Sequence, residues 1–326
     1  MLIVEKFGGS SLAGVERVRC AARIIADTVR AGHSVAAVLS AQGKTTDTLL
    51  STAAHYNPNP SRRELDMLLA TGEQASVALM AMTLEEMGLP AVSLTGWQAG
   101  VGTDETHGGA HIRRLSMQRV RRELDDGKIV LIAGFQGVSP GNDITTLGRG
   151  GSDTTAVAAA AALRAGECRI YTDVDGVFTA DPRLVPEARR LEAVDSEEML
   201  RLAALGSQVL HERSAALAFR FGVPLTVLSS FTSAPGTTIR PLPLPENEGR
   251  LTAVTRSGAL VSLVGTHLHT FDALPDRAVE ALRGAGLSVS AVLLTDGRLS
   301  VHTEEEQSLE TLRCLHAAFL ERPNNS

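Results

Sequence analysis

Over about the first 240 residues, short apolar runs alternate with amphipathic stretches, and that alternation leaves few folds open. Leu2-Ile3-Val4, Val35-Ala36-Ala37-Val38-Leu39, Ala91-Val92-Ser93-Leu94, Ile129-Val130-Leu131-Ile132, Arg169-Ile170-Tyr171-Thr172 and Pro224-Leu225-Thr226-Val227 read as buried strands. The segments from Glu64 to Met87 and from Ser196 to Phe221 repeat Leu, Met and Ala at helical spacing, and Gly88 and Gly222 mark their ends. Helices between strands that are buried on both faces imply an α/β fold, a three-layer sandwich with a mainly parallel sheet.

Two strand-to-helix turns carry the chemistry. Thr145-Thr146-Leu147-Gly148-Arg149-Gly150-Gly151-Ser152-Asp153 precedes an alanine-rich helix, and Lys6-Phe7-Gly8-Gly9-Ser10-Ser11 follows the first strand. Glycines let a main chain approach an anion, Ser152 or Asp153 is placed to cap the helix, and a helix N-terminus favours negative charge. Alone, either cluster reads as a tight connection; together they imply a polyphosphate ligand. Neither has Walker A or Gly-x-Gly-x-x-Gly spacing.

Aromatic residues make up only 3% and the net charge is −6, which argues against nucleic-acid binding. Cys20, Cys168 and Cys314 lack paired spacing, so a reducing compartment and no structural metal are expected. With no leader pattern and no apolar run near about 18 residues, the expectation is a cytoplasmic protein without a membrane partner.

Residues 241–249 are proline-rich and then polar, an extended spacer between a domain at 1–240 and a smaller one at 250–326. Strands at 251–256, 260–265, 287–293 and 297–302 with helices at 274–285 and 305–319 suffice for one ferredoxin-like unit.

From residue 2 to about 240 the ordered blocks resemble the aspartate kinases of the amino-acid kinase superfamily. Besides the two loops they are Leu39-Ser40-Ala41, Lys44-Thr45-Thr46-Asp47, the run from Met67 to Gln74, Leu94 to Gly100, Ala133 to Gly137 and Tyr171 to Arg183. The resemblance implies transfer of the ATP γ-phosphate, with Mg²⁺, to the β-carboxylate of L-aspartate. A carboxylate of reference pKa about 3.9 is ionised at neutral pH, so no strong base is required. Bringing an anion to a polyanion instead calls for positioning and positive charge.

The same likeness gives Lys6 the transferring phosphoryl group, beside the amides of Gly8, Gly9 and Ser10, and has Asp153 hold Lys6 or organise the metal-bound phosphates. Arg149 and Glu73 take a substrate carboxylate and the ammonium, with hydroxyls from Ser40, Thr46 and Ser152. Thr172, Asp173, Phe178, Asp181 and Arg183 fall on the nucleotide side. Phe178 stands where tyrosine is commoner, Gln208 where many relatives have a lysine near the ATP phosphates, Glu212 where proline is usual, and Gln42 where methionine is usual. His107 is expected to be a hydrogen-bonded loop residue, and His267 and His269 lack a third metal ligand.

Residues 250–326 resemble a single ACT regulatory domain where two in tandem are usual, with 251–256 supplying its fourth strand. The implied consequences are a homodimer joined through this region and weak or absent feedback by lysine or threonine. Two rival readings are a kinase of glutamate or acetylglutamate, which the Thr46 and Glu73 blocks disfavour, and a non-catalytic binding regulator, which the intact set Lys6, Arg149, Asp153 and Asp173 disfavours.

Overall fold

The computed structural model describes residues 1–321. In chain order the elements are β1 (Leu2–Phe7), α1 (Val15–Arg30), β2 (Ser34–Leu39), α2 (Thr45–Tyr56), α3 (Arg62–Glu86), β3 (Ala91–Leu94), β4 (Val101–Thr103), β5 (Ile112–Leu115), α4 (Gln118–Asp125), β6 (Ile129–Ala133), β7 (Gln136–Val138), β8 (Ile144–Thr146), α5 (Gly151–Leu163) and β9 (Glu167–Thr172). They continue as β10 (Ala193–Asp195), α6 (Ser196–Ala204), α7 (Glu212–Phe221), β11 (Leu225–Ser229), β12 (Thr237–Arg240), β13 (Arg250–Ser257), β14 (Leu260–Thr266), α8 (Leu274–Gly284), β15 (Ala291–Thr295), β16 (Arg298–His302) and α9 (Ser308–Phe319).

The chain forms two compact units, one of Met1–Asp175 with Ala216–Pro235 and one of Gly176–Ala215 with Gly236–Ser326. In the first, β11, β9, β1, β2, β6 and β3 lie side by side in that order, every neighbouring pair parallel. Alternate residues face opposite sides of a strand. Phe7, Val35, Leu39 and Leu131 pack with Ile25 of α1 and Met80 and Leu84 of α3 in one buried cluster. Lys6, of opposite parity, faces the layer that contains α5, and α4 also packs on the sheet. This is the expected three-layer sandwich. A small second sheet, β5-β4-β7-β8, was not foreseen, because its strands are only three or four residues long.

Among the described residues α3 is the one helix long and apolar enough to cross a membrane. Half of that apolar stretch is buried. The same helix also buries Asp66 and Glu73, and its apolar side chains serve the core.

In the second unit β13-β14-β16-β15 form an antiparallel sheet, the 4-1-3-2 order of a ferredoxin-like sandwich with β13 as the fourth strand. Leu263, Leu299 and Val301 pack with α8 and α9 on one face. The opposite face is rich in hydroxyls and receives α6, where fully buried Glu198 accepts from Arg250 at 2.9 Å, Thr252 at 2.8 Å and Thr266 at 2.6 Å. Residues 177–191 are fastened to α9: Thr179 Oγ1 lies 2.9 Å from His316 Nε2, Arg189 donates to the Leu320 carbonyl at 2.8 Å and Arg313 to that of Leu184 at 2.9 Å.

The continuous helix expected from Ser196 to Phe221 is two helices, α6 and α7. Gly206 adopts φ +106°, which favours glycine, and a Cβ there would stand 2.7 Å from the Arg256 carbonyl oxygen. The third strand of the small domain starts at Ala291, later than the expected 287. Removing the Glu198 carboxylate leaves Arg250 and two hydroxyls without their acceptor. Glu198→Ala should therefore cost about 1–3 kcal/mol in urea unfolding followed by a probe in the second unit.

Candidate active site

Parallel pairing brings the carboxyl ends of β1, β2, β6, β9 and β11 to one edge of the sheet, where open α/β proteins place their ligands. Lys6 is the penultimate residue of β1 before that edge, 8% exposed, and its Nζ stands 2.6 Å from Asp153 Oδ1. Desolvation offsets much of the attraction in so buried a pair, so it contributes more to placing charge than to stability. The strand ends are locked by Phe7 and Tyr171, whose rings stack at 4.7 Å.

Gly8 sits directly against the cation, where a Cβ would lie 3.4 Å from Lys6 Nζ. Its amide is committed, however, donating to the Tyr171 carbonyl at 3.2 Å. The expected trio of free donors therefore shrinks to Gly9 and Ser10, whose amides have no protein acceptor among the described residues. Gly9 sits against the next loop, its carbonyl accepting from Gly43 N–H at 2.8 Å.

At the second loop neither Ser152 nor Asp153 caps α5. Left-handed Gly150 (φ +67°) turns the chain into the helix, with no side-chain cap, and both residues lie in its first turn. Asp153 is thereby released to pair with Lys6, and among the described residues the amides of Ser152 and Asp153 have no acceptor. Phe135 holds an uncommon φ of +67° beside this turn; its N–H donates to Thr155 Oγ1 at 3.2 Å and its carbonyl accepts from Leu147 at 2.8 Å. A Cβ on Gly134 would meet Ser152 Oγ at 2.8 Å, so β6 delivers a bare backbone to the Ser152 hydroxyl. Arg149 is exposed, and among the described residues its guanidinium has no partner.

Glu73 is 3% exposed, and its Oε1 accepts from Ala41 N–H at 3.0 Å while its Oε2 is buried without a donor. Burial pushes this carboxyl up to about 7, against the pull of the Ala41 amide. A half-satisfied buried carboxylate of this kind suits a cationic ligand group. Gly72 lets α3 come this close, since a Cβ there would lie 2.8 Å from the Ala41 methyl. Ser40 is fixed through its own N–H to the Phe7 carbonyl at 3.1 Å, and half-buried Thr46 opens α2.

The structure thus joins Lys6, Gly8, Gly9, Ser10, Ser40, Glu73, Ser152 and Asp153 by direct contacts or adjacent backbone. Thr172 and exposed Asp173 end β9 in the same unit, with Thr172 Oγ1 donating to Asp173 at 3.1 Å. Phe178, Asp181, Arg183 and Gln208 belong to the second unit. There Arg183 grips Asp181 with bonds of 3.0 and 2.7 Å and holds its carboxyl below the usual range. Gln208 is exposed between α6 and α7.

His107 is hydrogen-bonded as expected, its Nδ1 donating to Asp66 at 2.9 Å. Asp66 is not among the residues that the sequence motifs single out, and it is the acceptor that holds His107. His269 pairs with Asp296, and among the described residues no cluster of three potential ligands could hold a metal.

Residues 1–229 match the amino acid kinase family model. The chain is 54% identical over 239 residues to an aspartokinase of Geobacillus stearothermophilus, covering 73% of this chain and 59% of that protein. To the aspartokinase of Corynebacterium glutamicum it is 51% identical, covering 90% and 70%. The chain therefore spans less than two thirds of the first of these relatives. Among solved structures, E. coli aspartokinase III in complex with aspartate and ADP superposes with a TM-score of 0.85 at 20% identity, over 98% of this chain and 99% of that one, a likeness of fold. Aspartate kinase from Synechocystis gives 0.68 at 30% identity, over 100% and 71%.

The Glu73 environment has a direct readout. In carbon-13 spectra of labelled ligand-free protein, two glutamate carboxyls, those of Glu5 and Glu73, should titrate near pH 7, and one of the two signals should vanish in Glu73→Gln; a spectrum unchanged by that substitution would contradict the site described.

Proposed function

Because the chain belongs to the amino acid kinase family and, within it, to the aspartokinases, we propose that it transfers the γ-phosphate of ATP to the β-carboxylate of L-aspartate, giving 4-phospho-L-aspartate and ADP. The observation that carries this reading is Lys6, a buried cation set between two glycine-rich turns with unpaired amides. In this reading the ammonium of Lys6 and the amides of Gly9, Ser10, Ser152 and Asp153 offset the charge that spreads over the transferring phosphoryl group. The attacking carboxylate is already ionised, so no residue has to remove a proton.

Arg149 takes a substrate carboxylate as a bidentate partner, and Glu73 takes the ammonium through its unpaired oxygen, with Ser40, Thr46 and Ser152 as hydroxyl partners. Asp153 keeps Lys6 in place. On the nucleotide side this reading assigns Thr172 and Asp173 in the first unit, and the family likeness also points to Phe178, Asp181, Arg183 and Gln208 in the second. Mg²⁺ takes few protein ligands beside phosphate oxygens and water, and the carboxylates of Asp153 and Asp173 fit that modest demand. When bound it neutralises phosphate charge. The reaction would open the synthesis of aspartate-derived amino acids.

We further propose the division at 1–240, 241–249 and 250–326, with the last segment acting as a single ACT-like domain that pairs two copies. Edge strand β15 supports this, because its Leu293 is 53% exposed and, among the described residues, no strand pairs with its outer edge. Feedback by lysine or threonine is weak or absent in this reading.

Acyl phosphate trapped as hydroxamate should form with ATP, Mg²⁺ and L-aspartate but not L-glutamate, and Lys6→Ala should lower kcat by roughly a thousandfold. No product with either acid would favour the binding-regulator reading. The ligand-free Glu73 carboxyl sits near pH 7, and only its ionised form attracts an ammonium, so the aspartate KM should fall as pH rises from 6 to 8 and lose this dependence in Glu73→Gln. In sedimentation the chain should run as a dimer, and Leu293→Lys should shift it toward monomer.

A further inference from the structure

Asp66 is 1% exposed, yet four donor contacts from three residues converge on it, out of β8 and the loop before β5. Thr146 Oγ1 of β8 donates at 2.5 Å, His107 Nδ1 at 2.9 Å, and the Gly108 amide at 3.0 and 3.1 Å to the two carboxylate oxygens. Thr146 also accepts, through its carbonyl, from Ala110 N–H at 2.8 Å. Gly108 in turn lies beneath the second glycine loop, since a Cβ on Gly148 would stand 3.2 Å from the Gly108 carbonyl oxygen. One carboxylate thus fixes both the strand that leads into Gly148-Arg149-Gly150 and the loop that supports it.

Asp66 and Glu73 stand on one face of α3, two turns or about 10 Å apart. Between them the Ala70 carbonyl accepts from Gln136 Nε2 of β7 at 2.8 Å, and Gln136 Oε1 accepts from Gln74 at 3.3 Å. The helix is therefore keyed to the small sheet at two levels, while Glu73 reaches Ala41. The two groups assigned to the substrate's opposite charges, Arg149 and Glu73, are carried by elements that Asp66 joins.

We propose that Asp66 is a positioning residue for the amino-acid substrate, setting the spacing between Arg149 and Glu73 by clamping the 104–110 loop and β8 onto α3. The proposal deepens the aspartate kinase reading and rests on it for the identity of the ligand. It assigns Asp66 to the acceptor, so the nucleotide should not feel its loss.

Steady-state kinetics of the full chain test this. Asp66→Asn should raise the aspartate KM at least tenfold and leave the ATP KM within twofold. In an Arg149→Ala background the same change should add less than twofold. His107→Gln, which keeps a donor, should stay within threefold of the parent, and His107→Ala should not. Equal losses in both KM values, or full additivity with Arg149→Ala, would overturn the assignment. Should Asp66→Asn fail to fold, Thr146→Val removes one donor and should raise the aspartate KM selectively. Hydrogen exchange without substrate separates the two levels of inference: peptides covering 104–110 and 147–152 should exchange at least tenfold faster in Asp66→Asn, or Thr146→Val in its place, while those covering α8 do not. Unchanged exchange would remove the clamp itself, whatever acceptor the enzyme uses.

Discussion

The site depends on the ion pair between Lys6 and Asp153. It ties the central strand of a parallel sheet to the first turn of α5, so the two glycine-rich turns are held at a separation set by one short contact. The amides of Gly9, Ser10, Ser152 and Asp153, which have no acceptors among the described residues, all belong to those two turns. The pair forms because β1 delivers Lys6 to the α5 face and because Gly150, not a side chain, starts the helix. A conventional cap from Asp153 would have consumed the carboxylate that Lys6 needs.

Buried acids in this chain differ by how many donors each receives. Glu198 and Asp66 are surrounded by donors on both oxygens. Glu5, on the opposite face of β1 from Lys6, accepts from Thr28 at 2.6 Å, with Arg169 3.7 Å away, and leaves Oε2 without a donor. Burial raises it to about 7 in spite of both neighbours. Glu73 has the same one-sided satisfaction, but it stands where an incoming cation could complete it. The fully served acids hold structure, and Glu73 keeps one oxygen without a donor among the described residues.

Much of this was legible beforehand because the signals were local. Buried strands and their glycine turns announce themselves over a few residues, so the parallel sheet and both loops could be read directly, whereas β13 as the fourth strand of the ferredoxin-like unit followed from the resemblance to ACT domains. The break between α6 and α7 was not, since Leu and Ala continue at helical spacing and only contact with Arg256 shows why Gly206 ends the helix. The role of Gly8 was misread for a similar reason: whether an amide is free depends on Tyr171, far away in sequence. Asp66 escaped because its partners lie 41 to 80 residues away, a distance no spacing rule spans.

The fastening of residues 177–191 to α9 bears on how such proteins can be recombined. Phe178, Asp181 and Arg183 sit in a segment whose Thr179, Arg189 and Leu184 are all bound to the last helix. A chimera spliced at the proline-rich stretch would carry this segment away with one parent and its anchor with the other. Modular exchange between relatives is therefore constrained to keep the segment after Asp175 and the carboxyl-terminal sheet as a single heritable block, two stretches far apart in the gene but inseparable in the fold.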